Sequence, residues 1–142
     1  MSTVDDAAIR KVLDEFAAAY AAKDAESVVR LFTDDPDAVI VGTGPDEIRI
    51  GPEQFREQIE RDLSQAEGIE LHLGDVKVSG RGDVAWTFAQ PVVTATVGDE
   101  QMRMPLRMTF VLVQQNGEWR IHSGHLSVAL AEQQAGESFA NV

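Results

Sequence analysis

Three histidines, one tyrosine and a pair of serines are the side chains of this sequence best suited to moving protons. Two of the histidines, His122 and His125, stand with Ser123 and Ser127 in one short stretch, W-R-I-H-S-G-H-L-S. Histidine is the residue whose ordinary pKa lets it give and take a proton near neutrality. His125 is therefore the candidate general acid or base, with Tyr20 or Ser127 as its hydrogen-bond partner. Cysteine is absent, which excludes a thiolate nucleophile, a disulfide framework and a cysteine-ligated zinc site. No metal site and no cofactor is expected. His122 and His125 fall on opposite faces of one strand, the D-D-P-D run at Asp34 to Asp37 lacks the spacing of a calcium loop, and G-T-G-P reads as a turn and not a phosphate cradle.

Whether His125 faces a core or solvent depends on the hairpin that carries it. Asn116-Gly117 is the strongest short hairpin signal in the chain. Counting outward from a two-residue turn sets Leu112 opposite Ile121, Phe110 opposite Ser123 and Met108 opposite His125, and directly opposed residues share a face. One face then carries Met104, Leu106, Met108, Phe110 and Leu112 with Trp119, Ile121, Ser123, His125 and Ser127. On that apolar face an unpartnered histidine would cost about 1–3 kcal/mol, so the protein or a ligand must satisfy it. Arg103, Arg107, Arg120, His122, Leu126 and Val128 go to the other face, where His122 reads as a surface or interface residue. The same counting from Gly98-Asp99 pairs Ala95 with Met102 and Val93 with Met104. A bulge at Pro91, which lacks a ladder donor, would turn Trp86 and Phe88 inward.

The elements that hold these strands come first in the chain. Ile9, Val12, Leu13, Phe16, Ala17 and Tyr20 recur at helical spacing, with Ser2 or Thr3 as N-cap and an end near Lys23. Asp24 caps a short second helix. A third starts at Gly51-Pro52, buries Phe55, Ile59 and Leu63 and ends by Gly68. Short strands at 38–41 and 47–50 lie between the second and third helices. After Gly68 the period changes to two and stays there, through a bulge at Gly74-Asp75, a strand over 84–97 broken by Pro91, one over 101–113 and one over 118–130. Three N-terminal helices followed by a four-stranded meander predict an α+β fold. Its form is a conical barrel, a strongly curved mixed or antiparallel β-sheet with the three helices covering the concave face. Residues 1–130 form this single domain and 131–142 a polar C-terminal tail.

A chain of 142 residues buries roughly 70% of its unfolded surface around one core. Hydrophobic residues at 44% and charged ones at 25% are globular values. The net charge of −12 opposes binding to nucleic acid or an anionic membrane. The acidic N-terminus without an apolar segment behind it predicts a cytoplasmic protein.

The order of elements, G-D-V-A-W at Gly82 to Trp86, R-M-T-F-V-L-V from Arg107 and G-E-W-R-I leading to H-L-S together resemble the SnoaL-like branch of the nuclear-transport-factor-2-like superfamily. So do V-G-T-G-P-D-E-I-R-I-G-P-E-Q-F and the tail E-Q-Q-A-G-E-S-F. The resemblance implies a cavity between sheet and helices and a dimer formed through the outer sheet face. It does not extend to ketosteroid isomerase chemistry. That chemistry needs a tyrosine on the first helix and an aspartate base, and Phe16 and the neighbourhood of Val41 hold those positions here.

Three functions emerge as expectations. The first is a homodimer whose cavity binds a small, largely apolar molecule through Phe16, Tyr20, Phe55, Trp86, Met108, Phe110, Trp119, Ser123, His125 and Ser127. The second is a cofactor-independent isomerase or cyclase with His125 as general acid or base. The third is an association module without chemistry.

Overall fold

The computed structural model describes residues 2–140; the tail positions Asn141 and Val142, like Met1, lie outside the described residues. Helix α1 (Asp6–Ala21) is capped by Asp5, whose side chain accepts from the Ala8 amide at 3.2 Å. Ser2 and Thr3 do not cap it. Thr3 is engaged elsewhere, donating its amide to the Gly80 carbonyl at 3.0 Å and accepting from the Gly82 amide at 3.2 Å. Asp24 caps α2 (Ala25–Val29) through the Ser27 amide at 3.2 Å, as its side chain predicts. Helix α3 (Gly51–Ser64) starts on a glycine at φ +82° followed by proline, a pair that suits a sharp entry into a helix. Lys23 ties the far ends of α1 and α3 together, donating to the Ala66 carbonyl at 2.6 Å.

Among the described residues nine strands follow the helices or lie between them: β1 (Val39–Val41), β2 (Ile48–Ile50), β3 (Gly68–His72), β4 (Val76–Arg81), β5 (Val84–Ala89), β6 (Val92–Val97), β7 (Glu100–Pro105), β8 (Arg107–Gln115) and β9 (Glu118–Ser127). They do not make one barrel sheet. Six form a mixed sheet in the order β2-β1-β9-β8-β5-β4, with β1 parallel to β9, and three form an antiparallel sheet in the order β3-β6-β7. The long hairpin from 84 to 115 crosses between the two. Its base, β5 with β8, belongs to the larger sheet and its tip, β6 with β7, to the smaller. Pro91 and Leu106 mark the crossing, where the Leu106 amide donates to the Pro91 carbonyl at 2.8 Å. Gly74, at φ +64°, likewise sits in the turn that moves the chain from one sheet to the other, where a bulge was expected.

Two register outcomes decide which side chains face inward. The break at Pro91 ends a strand instead of slipping it by one residue, so Trp86 stays opposite Val111 and Phe88 opposite Thr109, on the outer face. They are 45% and 38% exposed, and the inward placement expected for them does not hold. In β9 the pairing begins as the turn dictates, with Gln115 opposite Glu118 and Leu112 opposite Ile121, then slips. His122 is the extra residue of a bulge, and beyond it Val111 faces Ser123, Phe110 faces Gly124 and Thr109 faces His125. Ser123, His125 and Ser127 are thereby moved to the outer face. Leu126, expected outside, comes in beside Met108.

The core joins Ile9, Leu13 and Phe16 of α1, Phe55 and Ile59 of α3, and Met108, Phe110, Leu112 and Ile121 of the larger sheet. Trp119 packs against its edge. No helix among the described residues is long and apolar enough to cross a membrane.

A side chain at position 124 would have to share space with the Phe110 ring, which is 1% exposed and cannot retreat. Gly124→Ala should therefore destabilise the protein by about 1–3 kcal/mol, the usual cost of overpacking a filled core. Thermal unfolding followed by circular dichroism measures it. A melting temperature equal to wild type would show that the bulge and the Phe110 contact are not coupled.

Candidate functional site

Phe16 and Tyr20 are one turn apart on α1, and Phe55, Gln58, Ile59 and Asp62 occupy one stripe of α3. The two stripes converge on a pocket of about 370 Å³, within the range of small-molecule sites. Its walls are apolar. Ile69 and Leu71 come from β3, Val93 and Ala95 from β6, Met102 and Met104 from β7, and Leu106 and Phe110 from the entry to β8 and β8 itself. A chain of aromatic contacts lines the inner side: Phe16 meets Tyr20 at 5.0 Å between ring centroids and Phe110 edge-on at 5.4 Å, and Phe32 links Phe16 at 6.1 Å to Phe55 at 5.4 Å. Edge-to-face pairs at these distances are favourable beyond the area they bury.

The opposite end of the pocket is polar and belongs to Tyr20, Glu47, Arg49, Gln58 and Asp62. Gln58, 8% exposed, is the hub. Its Nε2 donates to Asp62 Oδ1 at 2.7 Å and to Glu47 Oε1 at 3.0 Å, while its Oε1 accepts from Arg49 Nε at 3.0 Å. The Tyr20 hydroxyl donates to Asp62 Oδ2 at 3.2 Å. The G-T-G-P-D turn proves to cradle a carboxylate of its own chain: the Gly44 amide donates to Glu47, and a Cβ at Gly42 or Gly44 would collide with that side chain.

These surroundings perturb two groups. Burial raises the Asp62 carboxyl above its ordinary value and Glu47 adds to the effect, against the hydrogen bonds from Gln58 and Tyr20 that favour its charged form. Burial together with the neighbouring Asp62 raises the Tyr20 phenol well above its ordinary value, so it remains a neutral donor across physiological pH. A carboxylate whose oxygens each still have acceptor capacity, aimed into an apolar pocket beside a neutral phenol, can bind a donor or exchange a proton with it.

Of the residues expected to line a site, Phe16, Tyr20, Phe55 and Phe110 do so. Met108 is buried in the core, and Trp86, Trp119, Ser123, His125 and Ser127 are not among the lining residues. His125 is exposed on the outer face, opposite Thr109 and beside Val41, so it and Tyr20 are not brought together. Ser127 accepts instead from Arg107 Nε at 3.1 Å. The polar end was not expected, although Gln58 and Asp62 break the buried stripe of α3 at positions that turn inward. Away from the pocket, the bulge brings His122 Nε2 within 3.6 Å of Asp35 and 3.8 Å of Asp37, three potential ligand atoms within 4.8 Å of one another. Asp37 is largely exposed there.

Solved structures share this fold. No curated protein sequence matches the chain. A Salmonella enterica protein of the nuclear-transport-factor-2-like superfamily has TM-score 0.80 at 20% identity, covering 92% of this chain and 94% of its own. A candidate dehydratase of that family from Streptomyces avermitilis gives 0.80 at 22%, covering 88% and 96%. A Nostoc punctiforme protein of unknown function with a cystatin-like fold gives 0.76 at 18%, covering 92% and 97%. At these identities the likeness is one of fold. The SnoaL-like domain model matches residues 9–131, and the chain belongs to the SnoaL-like domain family.

Proposed function

We propose that the protein is a homodimeric binding domain whose pocket takes up one small, largely apolar molecule. The observation that supports this most is the composition of the pocket, aromatic and aliphatic walls with a few polar groups gathered at one end. A solid core would have no use for a hydrogen-bonded carboxylate at its margin. A second reading, proton transfer on the bound molecule, is favoured by the raised Asp62 carboxyl beside Tyr20. It also suits the description of the Streptomyces neighbour as a candidate dehydratase.

The dimer is proposed through the outer face of the larger sheet, where Trp86, Phe88 and Val111 are exposed together. Adjacent exposed aromatics of this kind are what an association surface presents.

Titration with N-phenyl-1-naphthylamine, a neutral apolar fluorophore, tests the pocket. Saturable binding at one site per chain is expected, weakened at least about tenfold by Val93→Trp, which fills the cavity from the β6 wall. Linear, unsaturable fluorescence, or a Val93→Trp variant with unaltered affinity, would remove the proposal. For the dimer, light scattering should give twice the chain mass at micromolar concentration, and Trp86→Glu should halve it. A monomeric wild type would contradict that surface.

A further inference from the structure

The polar end of the pocket has a sign. The hydrogen bonds there converge on two carboxylates: both Gln58 contacts from Nε2, the Tyr20 hydroxyl and the Gly44 amide all point at Asp62 or Glu47. One Gln58 nitrogen bridges the two, at 2.7 and 3.0 Å, so the carboxylates stand close to each other. Neither forms an ion pair among the described residues. The two nearby arginines have carboxylates of their own: Arg61 holds Asp46 with two contacts of 2.7 and 3.2 Å, and Arg49 reaches Glu57 at 3.4 Å. Of the ionisable residues lining the pocket, Glu47 and Asp62 are acidic and Arg49 basic, with Tyr20 neutral, which leaves one negative charge in excess. A carboxylate or phosphate ligand would add a third anion to this corner with the Tyr20 and Gln58 donors already committed.

Next to the acidic corner lie the rings of Tyr20, Phe16 and Phe55, a surface that attracts cations as well as apolar groups. The chain as a whole, at −12, also draws in positive molecules and repels anions.

We infer that the pocket is selective for apolar amines: molecules with a ring or short hydrocarbon body against the aromatic wall and one protonated nitrogen donating to Asp62 and Glu47. The inference rests on the reading of the pocket as a ligand site. It accounts for an arrangement that is otherwise unfavourable, since two carboxylates drawn toward an apolar cavity repel each other until a cation arrives.

A matched set separates this claim from the one beneath it. 2-Phenylethylamine, 2-phenylethanol and 3-phenylpropionate present nearly the same body with a cationic, neutral or anionic head. At mildly alkaline pH, in competition with the fluorophore, the amine should bind at least about tenfold more tightly than the alcohol, as a charge-assisted contact allows, and the acid most weakly. Asp62→Asn should erase the amine's advantage over the alcohol, and Glu47→Gln, checked alongside for a native circular dichroism spectrum, should reduce it. Equal affinities, a preference for the alcohol or acid, or an amine preference that survives both substitutions would overturn the inference while the pocket stands. Failure of the fluorophore itself to bind would overturn both.

Discussion

Phe110 fills the space that a side chain at position 124 would take, and this contact governs which groups the molecule turns inward. The ring can sit there because the bulge at His122 shifts β9 by one residue and brings a glycine opposite it. From Phe110 the aromatic contacts run to Phe16 and on to Tyr20 and Phe32. Without the shift, a serine and a histidine would face α1 and Leu126 would face solvent. One inserted residue thus clears polar groups from the apolar wall and leaves the chemistry to the far end of the pocket.

That far end is assembled over distance. Tyr20 comes from α1, Glu47 and Arg49 from the β1–β2 region, and Gln58 and Asp62 from α3, with Gln58 joining three of them. The ionised Asp62 carboxyl, taken by itself, does not add to stability. A carboxyl raised in the folded state is protonated more readily there than in the unfolded chain, so its ionised form weakens the fold above the raised value. That penalty fades as pH falls through it. A group kept in place against its own stabilising interest is better explained by what it meets in the pocket.

Much of the fold was legible because local chemistry determines it. Asp24 and Gly51-Pro52 announce the helices they start, Asn116-Gly117 sets the first pairs of the last hairpin, and Gly98-Asp99 sets Ala95 against Met102. Helical spacing likewise picks out Phe16, Tyr20 and Phe55. The bulge left a quieter trace: the apolar positions change parity from Trp119 and Ile121 to Leu126 and Val128 across Gly124, and the register shift follows that change. Trp86 and Phe88 mislead. Their size suggests burial, yet the inward positions that alternate with them belong to Ala85, Thr87 and Ala89, whose small side chains suit the crowded face beneath the helix. Glu47 was hidden in a glycine turn whose role is visible only once Gln58 is placed beside it.

The methionines offer the most direct check on the pocket. Met102 and Met104 line it, and Met108, two strand positions past Leu106, is buried in the core behind it. Methyl NMR of methionine-labelled protein titrated with 2-phenylethylamine should move the Met102 and Met104 signals together to saturation while Met108 stays nearly still. Signals that shift equally at all three positions, or none that shift while binding is seen by calorimetry, would place the ligand somewhere else and contradict the account.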